Sequence, residues 1–503
     1  MADILKSPCH LSCFAILLVI GATASVWILG WDASVSWGDD WAGYLLQAHA
    51  ISLGDMKAEL ARNTAVVVAS DVQFGPYAYP WGYPALLAAV GTLGDWHFVT
   101  LKVIGGISLC ALGIASYFLA RQYLTAAASC SVALLAALQP DVVKASAELI
   151  SDVPFAALSI LSLLGVLVQQ AKHSTLGSFR WGGAVSIAAL NSVTFAVRSN
   201  GIMLMPLYPL MLILCALEGK LTWRRAAILS AVFAVSTAMF LAAYFAYFPD
   251  GSLSVASYLT TDLRSLARRC YEHIVNLGAS TPFNLVPGKS KILLLVPFLS
   301  LVILAASRRP RVLAIILAYL TLHLLLLTVF PFDGGPRYYF PLLAPLFILF
   351  SIACKDLIAK TPVMLHLTQN AAPGAWNFAL AALVAGIMFI VARQGQVERL
   401  SSSTIVEGPG AALTLNIFDH VRQTAPTNAV IAFWKPRVFR LHTGHRALLI
   451  ANAQALGPVD WYVFYRGDVK DGSQIEENAL IDNPGRRFHI AHESKLYRIY
   501  VRD

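Results

Sequence analysis

Charge is the scarcest commodity in this sequence. Only 13% of its 503 residues are Asp, Glu, Lys or Arg, about half of the roughly 25% typical of a water-soluble chain. With 57% apolar residues and a mean hydropathy of +0.64, this excludes an ordinary soluble enzyme and a disordered chain. Acid is scarcer than base: 28 Asp and Glu stand against 37 Lys and Arg, a net charge of +9. In a membrane chain such an excess marks cytoplasmic loops rather than a nucleic-acid surface, so no nucleic-acid partner is expected. Seven cysteines are present (Cys9, Cys13, Cys110, Cys130, Cys215, Cys270 and Cys354), and none forms a Cys-x-x-Cys pair. A disulfide framework and a thiolate metal centre are therefore not implied. Low-complexity tracts, internal repeats and the inverted repeats of many transporters are also missing.

Long apolar runs are what the chain does have. Crossing a bilayer takes about 17–25 residues, and eleven runs qualify or nearly so: 11–29, 97–119, 124–139, 154–170, 181–197, 201–217, 226–247, 291–306, 311–330, 338–354 and 376–392. The first could pass for a signal peptide, with Ala22-Thr23-Ala24 as its cleavage site. The many spans after it favour an uncleaved first helix. The run Tyr83–Leu93 is too short to span, and Pro76, Pro80, Pro84, Tyr77, Tyr79 and Trp81 crowd it. It reads as a dipping or juxtamembrane segment. With the N-terminus inside, the short inner loops carry Lys6, Arg121, Lys172, Arg180, Lys220, Arg224, Arg225, Arg308, Arg309, Arg311, Lys355 and Lys360, whereas the outer connections carry Lys144, Arg198 and Arg337. That split predicts a multi-pass inner (plasma) membrane protein. Its membrane module covers 1–392, with outer loops 30–96 and 248–290. A tail over 393–503 forms an extracytoplasmic α/β domain, helical over 411–424, with strands at Val430–Trp434, Ala447–Ile450, Trp461–Tyr465, Phe488–Ala491 and Leu496–Val501.

The unusual residues gather on the outer side. After Trp37-Gly38-Asp39-Asp40-Trp41, the residues Trp41, Tyr44, Leu45, Ala48 and Ile51 recur at helical spacing, which predicts an amphipathic helix at the interface. Asp39 and Asp40 open it, either as an N-cap or as a catalytic pair. Glu148 and Asp152 stand four apart, which predicts one shared helix face. Arg198 and Arg337 sit at helix ends at membrane depth, where an ionisable group is a functional candidate. Arg264, Arg268 and Arg269 lie along an apolar stripe in the second outer loop and could attract an anionic headgroup. His442 and His445 have the spacing of a weak metal pair without an evident third ligand.

These features together resemble the GT-C superfamily of integral-membrane glycosyltransferases, in its bacterial branch related to protein O-mannosyltransferases and lipid A aminoarabinose transferases. Asp40, Tyr44 and Ala48 match an acid followed by Tyr at +4 and Ala at +8, and Gly54 closes the helix. The Pro/Tyr-rich stretch Tyr79–Leu86, the acid Asp152 ahead of an apolar run, and the helix start Arg337-Tyr338-x-x-Pro341 fit as well. Many relatives have Asp-Glu where this chain has Asp39-Asp40, which leaves open whether Asp39 or Asp40 is the base.

The resemblance implies a helical polytopic membrane fold of about eleven spans. It also implies inverting transfer of a hexosyl or pentosyl group from a polyprenyl-phosphate donor to a glycan, lipid or protein hydroxyl on the outer face. Asp40, Asp152 and Asp39 are the catalytic candidates. Asp40 would be the base, Asp152 would orient the acceptor or support Asp40, and Asp39 would stand behind them. Arg337, Arg198, Tyr44, Glu148, Tyr338, Arg264, Arg268 and Arg269 are the substrate-binding candidates. No cofactor is certain, and a divalent metal held by the acids is open. A base beside apolar surface and a second carboxylate is expected to have a raised pKa. The rival reading is a transporter or flippase of lipid-linked saccharide, which would place its ionisable groups near the bilayer midplane.

Overall fold

The computed structural model describes residues 9–30, 35–72, 74–176, 181–251, 290–329, 335–358, 408–467, 472–481 and 488–503, with short pieces within 268–277 and at 469. Helices dominate up to residue 358. They are α1 (Cys9–Leu29), α2 (Asp39–Leu53), α3 (Met56–Ala69), α4 (Gly82–Leu93), α5 (Phe98–Leu101), α6 (Val103–Arg121), α7 (Ala126–Ala137), α8 (Pro140–Ser146), α9 (Asp152–Leu176), α10 (Trp181–Val197), α11 (Leu207–Leu217), α12 (Trp223–Tyr247), α13 (Ser290–Arg308), α14 (Pro310–Val329) and α15 (Phe340–Ile358). Short 3₁₀ turns, Ser199–Leu204 and Gly335–Tyr339, precede α11 and α15.

Ten of the eleven expected runs coincide with helices, and the run 376–392 lies outside the described residues. Among the described residues, seven helices are long and apolar enough to cross a membrane, eight if the bent pair α7–α8 counts as one span. α4, α10 and the apolar part of α13 are too short to be counted. The 61° bend between α7 and α8 has a local cause. Pro140 cannot donate to the preceding turn and drives Gln139 out of the helical region, to φ −57° and ψ 130°. The Gln139 side chain then caps α8 by accepting from the Val142 N–H at 2.9 Å.

Among the described residues, the C-terminal region adds α16 (Ala412–Thr424), α17 (Pro436–Thr443), α18 (Glu477–Ile481) and five strands. The strands are β1 (Val430–Ala432), β2 (Arg446–Leu448), β3 (Trp461–Tyr465), β4 (Phe488–Glu493) and β5 (Tyr497–Arg502). Their order is β2-β1-β3-β5-β4, with β1 parallel to β2 and β3, and β5 antiparallel to β3 and β4. The expected helix and all five expected strands are present within a few residues. One apolar cluster runs from the membrane helices into β1 and α17, through Phe433, Val438 and Phe439. Trp37, just ahead of α2, inserts its ring against Trp434 at 5.0 Å and Tyr465 at 6.0 Å. The C-terminal region is thus seated on the segment that opens α2.

Candidate active site

Helix α2 begins the site. Its N-cap is Gly38, which makes no side-chain cap, and Asp39 and Asp40 are its first two helical residues. The N-cap alternative for these acids therefore does not hold, although both sit where the helix dipole favours negative charge. Gly54 ends the helix in the left-handed region at φ +71°, as glycine can without strain. Trp41, Tyr44, Leu45 and Ala48 are buried. Tyr44 lies against Tyr79 at 4.5 Å and edge-on to Tyr83 at 5.0 Å, and its hydroxyl meets Ser151 Oγ at 2.9 Å.

Asp40 is held from two sides. Tyr79 Oη donates to its Oδ1 at 2.6 Å, and Arg337 Nη1 donates to its Oδ2 at 3.3 Å. The side chains of Asp40 and Arg337 each remain 36% exposed. Withdrawal from bulk water pushes the Asp40 carboxyl up, but Arg337, the Tyr79 hydroxyl, Arg437 and Arg198 outweigh it, so its pKa lies below the ordinary value. This corrects the expectation of a raised pKa: the cations around Asp40 were not apparent from its neighbours in sequence. Asp40 is ionised at neutral pH.

The second acid stands deeper. Asp152 is the first residue of α9 and is buried. It is paired with Arg198 Nη1 at 2.5 Å. Arg198 ends α10, and its guanidinium lies 4.5 Å over the Tyr338 ring, with that of Arg337 5.7 Å from the same ring. The buried His323 of α14 donates from Nε2 to the Tyr338 carbonyl at 3.0 Å, which holds the turn that carries both aromatic ring and arginine. Gly82, the first residue of α4, packs directly on the end of α10: a Cβ there would come within 2.6 Å of the Ala196 carbonyl.

Asp39 faces elsewhere. Its Oδ1 accepts from the backbone N–H groups of Arg437 at 3.0 Å and Val438 at 3.4 Å, so it caps α17 of the C-terminal region. Its Oδ2 faces the Arg437 guanidinium at 3.8 Å. Burial, reinforced by Asp40, raises its pKa in spite of Arg437, Lys435 and the Val438 N–H. Arg437 itself escaped the sequence reading. It is 3% exposed, and its Nη1 donates to Tyr79 Oη at 2.8 Å, which links the C-terminal region to Asp40 through one hydroxyl. The signal in the sequence is an arginine directly after Lys435-Pro436, flanked by the apolar pairs Phe433-Trp434 and Val438-Phe439.

Other candidates lie outside this cluster. Glu148 does not share a helix with Asp152, because the chain turns between α8 and α9. Glu148 accepts from Ser36 Oγ at 3.2 Å instead. Arg264 lies outside the described residues. Arg268 is exposed and pairs with Glu272 at 2.8 Å. Arg269 donates to the terminal carbonyls of α14, Thr328 at 3.2 Å and Val329 at 3.3 Å. The His442 ring stacks on Phe418, and the ring nitrogens of His445 face the carbonyls of Thr443 and Ala425. Among the described residues no three of His, Cys, Asp and Glu converge on one point. With Asp39, Asp40 and Asp152 each turned to a different arginine, the described side chains do not fit a resident metal centre.

No family model matches the chain, and no curated protein matches it in sequence. Solved structures do match it in fold. ArnT from Cupriavidus metallidurans superposes with a TM-score of 0.57 at 12% identity, over 96% of this chain and 97% of that one. The same protein bound to undecaprenyl phosphate gives 0.57 at 13%. The Archaeoglobus fulgidus oligosaccharyltransferase AglB, in complex with an inhibitory peptide and a dolichol-phosphate, gives 0.56 at 12%, over 90% of this chain and 69% of that one. The chain therefore shares the fold of ArnT and of the AglB oligosaccharyltransferase, a helical polytopic fold of the kind the resemblance implied.

Proposed function

We propose that this protein is an inverting glycosyltransferase that moves a sugar from a polyprenyl-phosphate donor to an acceptor hydroxyl on the outer membrane face. The observation that carries the reading is Asp40. It is an ionised, partly exposed carboxylate beside Arg337, with Arg198 sharing the Tyr338 ring behind it. The ArnT structure with undecaprenyl phosphate and the AglB structure with dolichol-phosphate support a lipid-phosphate donor here. The collection of the acids and arginines at one end of the bundle favours transfer over transport, which would call for ionisable groups at mid-depth.

In this reading the donor phosphate binds Arg337 and Arg198, whose guanidinium groups match phosphate oxygens in pairs. The acceptor hydroxyl attacks the anomeric carbon from the face opposite the phosphate. Its oxygen forms the new C–O bond as its proton passes to Asp40. The bond from the anomeric carbon to the phosphate oxygen breaks, and its electron pair leaves with the polyprenyl phosphate. Attack and departure on opposite faces invert the configuration, through an oxocarbenium-like transition state. The leaving phosphate, neutralised by arginine, needs no strong general acid. Asp152 holds Arg198 in place rather than touching the acceptor. The helix directions support one sidedness: α9 starts and α10 ends at the site, while Arg309 and Asp356 pair at 2.6 Å where α14 begins and α15 ends. The C-terminal domain, from about 393, would then be extracytoplasmic in a plasma-membrane protein.

The test is turnover of a panel of radiolabelled polyprenyl-phosphate sugars by the purified protein and by Asp40→Asn. Transfer by the wild type and its loss in the variant are expected. No transfer from any donor in the panel, or an active Asp40→Asn, counts against the reading. Reporter fusions after Asp503 and at Lys220 test the sidedness.

A further inference from the structure

We propose that Arg437, supplied by the C-terminal domain, is a positioning residue for Asp40: it holds the Tyr79 hydroxyl so that the single proton of that hydroxyl points at the carboxylate. This rests on Asp40 as the base. A guanidinium can only donate. Tyr79 Oη therefore accepts from Arg437 Nη1 at 2.8 Å and must spend its own proton on Asp40 Oδ1 at 2.6 Å. Oδ1 is thereby oriented, and Oδ2 is left toward Arg337 and the open side of the site.

Arg437 is itself fixed on every side. Its Nη2 donates to the Pro76 carbonyl at 2.6 Å and the Phe74 carbonyl at 3.4 Å, and its Nε donates to Asn63 Oδ1 at 3.3 Å. Its guanidinium lies over the rings of Phe74 at 5.1 Å and Tyr79 at 5.0 Å. Two glycines clear its way. A Cβ at Gly75 would stand 2.9 Å from Arg437 Nη1, and one at Gly43 would stand 2.7 Å from the Tyr79 ring and 3.2 Å from Arg437 Cδ. Because Asp39 caps the helix that carries Arg437, the seating of the C-terminal domain and the aim of the base are one arrangement. A domain that lifted off would leave Tyr79 free to turn its proton away from Asp40.

The groups that act electrostatically on Asp40 are Arg337 from the turn before α15, Tyr79 from the loop before α4, Arg437 from α17, Arg198 from the end of α10, and Asp39 and Tyr44 on its own helix. Removing Arg437 or the Tyr79 hydroxyl withdraws support from the ionised carboxylate, so the acid limb of the rate profile should move to higher pH.

The experiment uses the full-length protein with a radiolabelled undecaprenyl-phosphate sugar that the wild type turns over. Tyr79→Phe removes one hydroxyl and little else, and Arg437→Gln removes the charge. Each should lower kcat on the order of tenfold or more, change the affinity for undecaprenyl phosphate less than about twofold, and raise the acid limb. The double variant should be no worse than the poorer single one. Infrared titration of protein carrying carboxyl-¹³C aspartate gives a readout free of turnover. The band lost in Asp40→Asn should protonate at higher pH in both variants. A Tyr79→Phe protein whose band and acid limb stay at wild-type pH overturns the proposal, even if Arg437→Gln fails to fold. An active Asp40→Asn instead removes the base reading, while the infrared titration still reports on the arrangement.

Discussion

Two carboxylate–arginine pairs stand close together in this molecule and are built in opposite ways. Asp152 and Arg198 meet at 2.5 Å with 3% and 14% of their side chains exposed. Asp40 and Arg337 meet at 3.3 Å with 36% of each exposed. The first pair is closed, and breaking it leaves a charge stranded away from water. The second is loose enough for a substrate to come between its members, and each member has another partner: Tyr79 for Asp40 and the Tyr338 ring for Arg337. In the proposed reading the open pair supplies the base and one donor-binding arginine, while in the closed pair Asp152 anchors Arg198 for the donor phosphate.

Asp40→Asn should separate the two kinds most sharply. Turnover is expected to fall by about 10²–10⁴-fold, the usual cost of losing a general base, with thermal unfolding in detergent changed by less than about 0.5 kcal/mol. Asp152→Ala should do the reverse and destabilise the protein by about 3–5 kcal/mol through the stranded Arg198. The double change Asp152→Asn with Arg198→Gln should recover much of that stability without recovering activity. A double variant as unstable as Asp152→Ala would show that the pair does more than balance charge. Arg337→Lys keeps the charge but loses the planar fork, and the lost charged hydrogen bond should raise the donor KM by about tenfold. The smallest effect belongs to Asp39→Ala, which removes the cap of α17 at a cost of about 1 kcal/mol. Asp39→Asn, which can still accept through Oδ1, should cost less in the same unfolding measurement.

The contrast between Asp39 and Asp40 also marks where reading from sequence succeeds. The helix from Asp39, the αL closure at Gly54, the start of α9 at Asp152 and the five strands are local. Each follows from spacing, a cap or an alternation within some fifteen residues. The grouping of Asp40, Arg198, Arg337 and Tyr338 was legible only through the shared side of the membrane and the GT-C resemblance. Asp39 was expected to stand behind Asp40, but its cap on α17 was not legible, since that helix lies almost four hundred residues later. Arg437 was missed for the same reason: nothing around it in sequence says that Tyr79 is waiting. The lowered pKa of Asp40 was hidden too, because three of its causes are arginines brought in by other helices. Glu148 failed in the other direction, where a four-residue spacing suggested a helix and the chain turned instead.

Gly82 has no functional group, yet it sets where one of the substrate candidates stands. Any side chain at that position would press on the Ala196 carbonyl, two residues before Arg198, and the whole end of α10 would have to retreat. In a saturation-mutagenesis screen position 82 should therefore score among the least tolerant in the chain, with even alanine selected against. The heritable description of this candidate site extends to a hydrogen atom on α4 whose only contribution is the space it does not take.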